Sequence, residues 1–167
     1  MEKMDHSFWE EQIKQLPVLS QKYSSYGEFI NATLQNIAES LGLKRVTHLT
    51  CVLEEGRIDW DVTAETFPAD RDFVTRKSSE LRLLLVDIIL EGANERYMEK
   101  TLTVEGKKLY VKAFQIRLPE SNMQHILVLT TPEQVTEDLQ LSDDDKKAGW
   151  KYLAQFAETA ASMIVKT

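Results

Sequence analysis

The chain has 167 residues, enough for one domain whose core needs no covalent staples. Its composition, 43% hydrophobic and 28% charged, is that of an ordinary globular protein, and the scarcity of Gly and Pro (6 and 4) argues against long flexible linkers. A formal net charge of −7 repels a phosphate backbone and so argues against general nucleic-acid binding, while a single cysteine, Cys51, excludes an intramolecular disulfide and a Cys-only metal cage.

The opening residues carry Glu2, Asp5, Glu10 and Glu11 and no apolar segment, so no signal peptide is read there. The longest apolar run, Leu83–Val86, is too short to cross a bilayer. Together with the lone cysteine, this predicts a cytoplasmic protein that keeps out of membranes. Asn31-Ala32-Thr33 matches a glycosylation pattern but falls on a predicted helix, and is read as chance.

Asp5–Gln15 reads as a helix that directs Phe8, Trp9, Ile13 and Leu16 to one side, with Pro17 ending it or starting a new turn. A second helix spans Ser25–Leu41 and stops at Gly42 in a left-handed cap. Two strands follow, Val46–Glu54 and Ile58–Glu65, joined by a turn that contains Gly56. In the second strand Ile58, Trp60, Val62 and Ala64 alternate with Asp59, Asp61, Thr63 and Glu65. Asp70–Lys77 reads as a short helical turn. Ser78 or Ser79 then caps a helix to Leu90 whose apolar residues run nearly all round, which predicts deep burial. Tyr97–Val104 turns at Glu105-Gly106 into Lys107–Leu118, where the alternation changes phase between Val111 and Phe114 and predicts a bulge. Met123–Thr131 is the last strand. After a polar stretch to Leu141, Ser142 opens the final helix, with Asp143, Asp144 and Asp145 at its positive end and Asp145 completing a capping box. Its apolar stripe is read as Trp150, Leu153, Ala157, Ala161 and Ile164.

This order predicts an α+β fold: a five-stranded antiparallel sheet with packed N-terminal, central and C-terminal helices. The domain is read over residues 25–167, preceded by a helical extension over residues 1–24. From Tyr26 to Lys166 the chain resembles a divergent GAF domain. The resemblance lies in Glu28–Glu39 with the strand after it, and in His125–Leu129, Leu141–Asp144 and Leu153–Ala157. The last strand lacks the glycine that GAF domains often carry there. Roadblock and longin-like folds share a similar element order.

The resemblance implies a regulatory or sensory module whose ligand cavity lies between the sheet and the central helix. It places Trp60, Arg71 and Arg76 there as candidate ligand-binding residues, with guanidinium groups suited to an anion. It also implies a homodimer through the terminal helices, for which Ala154, Ala157 and Ala161 offer a close-approach surface. No output domain fits in this chain, so a signal would pass to a separate protein partner. The alternative is a ligand-free roadblock or longin-like adaptor.

Catalysis is not predicted. Bilin-binding GAF domains hold their cysteine near a histidine in a loop or helix after the sheet, whereas Cys51 is mid-strand. Free methionine sulfoxide reduction, the enzymatic activity this fold supports, uses several cysteines. His48 and Cys51 are three apart on a strand and point to opposite faces, so they share no metal. His125 can join His48 from a neighbouring strand, but two ligands do not make a metal site. Asp59, Asp61 and Glu65 read as a solvated face, and Lys107, Lys108 and Lys112 as charges that solubilise a sheet edge. No cofactor signature is present.

Overall fold

Asp5 starts the first helix, α1 (His6–Lys22): its carboxylate accepts the Phe8 N–H at 2.9 Å. A computed structural model describes residues 4–55, 57–65, 79–91, 93–104, 106–118, 122–132 and 141–166. Pro17 neither ends nor restarts α1. It removes one helical donor, and the helix runs on past it, with Leu16 buried before the proline and Leu19 packed against the same core after it. In α2 (Tyr26–Leu41), Ser25 Oγ accepts the Glu28 N–H, and Gly42 closes the helix at φ 66 while the Leu43 N–H returns to the Ala38 carbonyl at 2.9 Å.

The strands are β1 (Arg45–Glu54), β2 (Arg57–Glu65), β3 (Glu95–Val104), β4 (Lys107–Arg117) and β5 (Met123–Pro132). They form a five-stranded sheet in the order β2-β1-β5-β4-β3, antiparallel throughout. The β1–β2 turn takes a left-handed residue at Glu55, φ 51. Gly56 lies outside the described residues. Gly106 turns β3 into β4 at φ 78, a conformation that L side chains rarely adopt.

The bulge expected between Val111 and Phe114 is absent. β4 pairs with β3 and β5 without a shift, and the irregularity lies between His48 and Leu49 in β1–β2. The phase change has another cause: β4 is an inner strand covered on both faces. Val111 and Ala113 pack under α3 (Ser79–Glu91), and Phe114 and Ile116 pack under the other helices.

One face of the sheet therefore carries α1, α2 and α4 (Asp143–Lys166), and the other carries α3. Phe8, Trp9 and Leu16 of α1 belong to the same core as Phe29 and Ile37 of α2 and Leu153 and Phe156 of α4. At the start of α4, Ser142 and Asp145 form the capping box: the Ser142 N–H donates to Asp145 at 3.1 Å and the Asp145 N–H donates to Ser142 Oγ at 3.2 Å. The same carboxylate accepts the His6 N–H at 2.8 Å, tying the starts of α1 and α4 together. The two helices run in the same direction, with Trp9 against Tyr152 one to two turns further on.

Two sequence expectations about helix faces are corrected. The buried side of α4 is Gly149, Tyr152, Leu153, Phe156, Ala157, Ala160 and Met163, so Ala161 and Ile164 of the expected stripe are exposed. Gly149 lies so close to Phe114 that any Cβ there would overlap the ring, and this approach rotates the helix. In α3, Leu81, Leu84, Leu85, Ile88 and Ile89 are buried on the sheet, but Leu83 is 67% and Leu90 53% exposed. No other described helix shares that face, so the outer side of α3 is not covered by a second layer of described helix.

Candidate functional site

The expected ligand region borders the α3 face. Leu49 and Cys51 of β1, Ile126 and Val128 of β5 and the inner residues of α3 close that face into an apolar cluster. Trp60 pairs in register with Cys51. Arg71 and Arg76 lie outside the described residues, as does the short helical turn expected at Asp70–Lys77. Cys51 is buried, and burial pushes its thiol up to about 11, against a smaller lowering by the Gln124 backbone. A thiol held protonated in an apolar layer packs and does not attack.

The opposite face brings the two strand histidines together. His48 Nε2 and His125 Nδ1 are 3.1 Å apart, with the rings stacked at 5.3 Å and Phe156 edge-on to His48. Burial, then the neighbouring His125, pulls His48 down to about 3, and burial pulls His125 down to about 4. Both rings are therefore neutral near pH 7, one donating and the other accepting. His48 Nδ1 and, elsewhere in the same core, the Tyr152 hydroxyl are buried without a partner among the described residues. Each such group costs about 1–3 kcal/mol in lost solvation. Cys51 lies on the other side of the sheet, and no group of three or more metal-ligating side chains exists among the described residues.

A second polar cluster, missed in the sequence, sits on the β3–β4 hairpin. The Glu99 carboxylate accepts from the Tyr97 hydroxyl at 2.5 Å, the Tyr110 hydroxyl at 2.7 Å and Lys112 Nζ at 2.9 Å. Lys112 is 2% exposed, so it does not solubilise an edge as expected. Burial alone would raise the Glu99 pKa, but these donors hold it below the usual carboxylate range. Tyr110 is pushed up to about 12 by burial and by Glu99. The cluster satisfies itself and leaves no poised acid, base or nucleophile. Its signal was in the turn: with Val104 opposite Lys107, counting back places Glu99 opposite Lys112.

The carboxylate row on β2 is open to solvent where its side chains are described: Asp59 and Asp61 are exposed, and Asp59 pairs with Arg57 at 3.2 Å. Between α1 and α4 lies an open groove of about 370 Å³ lined by His6, Glu10, Ile13, Asp144, Lys147 and Lys151. Both signs of charge share it, and it lacks the apolar enclosure that small-molecule sites need. The three alanines do not form one exposed surface. Ala157 is 4% exposed, inside the chain's own core, Ala154 is half-buried and Ala161 is exposed.

The architecture is thus an antiparallel sheet carrying the terminal helices on one face and a single described helix on the other. The GAF domain of an Acinetobacter phosphoenolpyruvate-protein phosphotransferase superposes on 99% of this chain and 97% of its own, with a TM-score of 0.52 at 7% identity. The phycoerythrobilin-bound GAF domain of a cyanobacterial phytochrome superposes on 95% of this chain and 97% of its own, with a TM-score of 0.52 at 16% identity. The fold is GAF-like. No family model and no curated protein matches the chain. The likeness is one of architecture alone, and the GAF-like fold here keeps its two strand histidines, His48 and His125, as a buried pair and its cysteine as core. No described helix is long and apolar enough to cross a membrane.

Proposed function

We propose that the protein is a GAF-like regulatory or sensory module of the cytoplasm that works by associating, with a second copy of itself and with a protein partner, and that carries out no catalysis of its own. The side-by-side terminal helices carry this reading. They cover one face of the sheet together and leave Val18, Ala161 and Ile164 exposed on their C-terminal turns. Such apolar residues favour contact with another chain. The buried thiol and the neutral, enclosed histidine pair support a role other than chemistry.

A small anionic ligand is part of the proposal, with Trp60, Arg71 and Arg76 as its candidate binding residues. The ligand-free adaptor is the second reading. The observation in its favour is that the described part of this face is filled by leucine and isoleucine side chains.

Native mass spectrometry of the freshly purified chain tests both. Two chains per particle are expected, dissociated by Ile164→Glu, and a monomer at high protein concentration would overturn the associating module. A retained small molecule that disappears in Arg71→Ala/Arg76→Ala supports the ligand. Ligand-free particles in every preparation favour the adaptor.

A further inference from the structure

Lys147, Lys151, Ala154, Glu158 and Ala161 follow one another along α4 at steps of four and three, which sets them on one line down the helix. The line lies opposite the side that meets the sheet. Leu153, Phe156, Ala160 and Met163 are buried, whereas Lys147, Lys151, Glu158 and Ala161 are exposed and Ala154 is half-buried. Lys151 and Glu158 cannot serve each other within one helix, because seven positions separate them, about 10 Å along the axis. A helical side chain meets those three and four positions away. Around Lys151 these are Lys147, Ala148, Ala154 and Gln155, and around Glu158 they are Ala154, Gln155, Ala161 and Ser162, so neither finds an opposite charge on its own helix. Among the described residues neither makes a hydrogen bond or an ion pair with another element. Glu10 shares the groove with Lys151 but makes no ion pair with it.

A second copy supplies what the helix lacks. When two α4 helices cross antiparallel about a twofold axis at Ala154, residues equally far on either side of the crossing come level. Lys151 lies three positions before Ala154 and Glu158 four after, so Lys151 of each copy meets Glu158 of the other, twice by symmetry. The small side chain of Ala154 lets the helices approach, and Ala161 comes level with Lys147 of the other copy. The parallel pairing sets Lys151 against Lys151 and Glu158 against Glu158, and like charges repel.

We infer that the outer line of α4 is where two copies of this chain recognise each other, crossing antiparallel at Ala154 with Lys151 of each paired to Glu158 of the other. This rests on the reading that the protein self-associates, and it gives that association a helix, a direction and a pair of charges. The contact takes in the C-terminal turn, where Ile164 comes level with Asp144 of the other copy. One helix pair buries less than a standard interface of ~1,600 Å², and exposed ion pairs each contribute little, so the dimer forms and dissociates with concentration.

Sedimentation velocity over a concentration series on the full chain tests this. Lys151→Glu sets glutamates against each other at both ends of the contact and should weaken self-association on the order of tenfold or more. Glu158→Lys should do the same, and Lys151→Glu/Glu158→Lys should restore the dimer. Both positions are exposed, so the thermal melts of all three variants should match that of the unchanged chain. A dimer that both single variants leave intact overturns the α4 contact and leaves the associating module standing. Loss in the single variants without recovery in the double variant overturns the antiparallel pairing of Lys151 with Glu158. A chain that is monomeric at high concentration overturns the module and the contact together.

Discussion

Lys112 shows how far one residue's role depends on its neighbours. On an outer strand it would be a solvated charge, but β5 lies on its other side and it is buried with Glu99 as its anion. Removing one partner of a buried ion pair leaves the other charge uncompensated, and the cost is larger for the charge that is fully buried (Lys112) than for one that keeps solvent and other hydrogen-bond donors (Glu99). Glu99→Ala is therefore expected to cost about 2 kcal/mol, reduced from the fully buried figure because Glu99 is partly exposed. Lys112→Met should cost less than about 1 kcal/mol, since the Tyr97 and Tyr110 hydroxyls still serve the carboxylate. Urea unfolding of both variants checks the order, and equal or reversed costs would remove the pair from the stability of the hairpin.

Among the elements, α4 lies close against the sheet at Phe114, and Gly149 makes that approach possible. An exposed helical glycine replaced by alanine gains about 1 kcal/mol from helix propensity. Here the added methyl would overlap the Phe114 ring, which is itself held by Trp9 and Tyr97. Gly149→Ala should instead destabilise by about 1–3 kcal/mol, the range for overpacking a filled core. Thermal melting reads the sign directly, and a stabilised variant would show that α4 can lift off the sheet without loss. The capping of α4 was legible, because Ser142 and Asp145 act over three residues. The rotation of its buried face was not, because Phe114 is a distant strand residue and nothing near Gly149 in the chain announces it. In α3 the inner leucines were legible as core, but an apolar pattern that runs all round does not say which side meets the sheet.

For the whole molecule, the buried histidine pair sets an acid limit. His48 and His125 are held near 3 and 4, below the ordinary 6.5, so the unfolded chain binds more protons. Their contribution to stability is complete above about pH 6.5 and is lost as pH falls toward those folded values. Glu99 and Asp145, both held below their usual values, add losses at still lower pH. The urea midpoint should fall between about pH 7 and about pH 4.5, and fall less in His48→Phe, which has one buried base fewer. A midpoint that is flat over that window, or a fall that His48→Phe leaves unchanged, would show that the pair does not set the limit.

By itself the sequence determined the element order, the caps at Gly42 and Ser142, the turn at Gly106 and hence the GAF-like α+β plan. All of these rest on residues within a turn or two of one another, where backbone geometry and hydrogen bonding are local. Only the tertiary structure decided that His48 meets His125, that Lys112 is buried, that Ala157 is core and that Leu83 and Leu90 face outward. Each of those depends on which side of a strand or helix another element covers. Coverage is a property of packing, and periodicity cannot report it when a strand is covered on both faces or a helix is apolar all round.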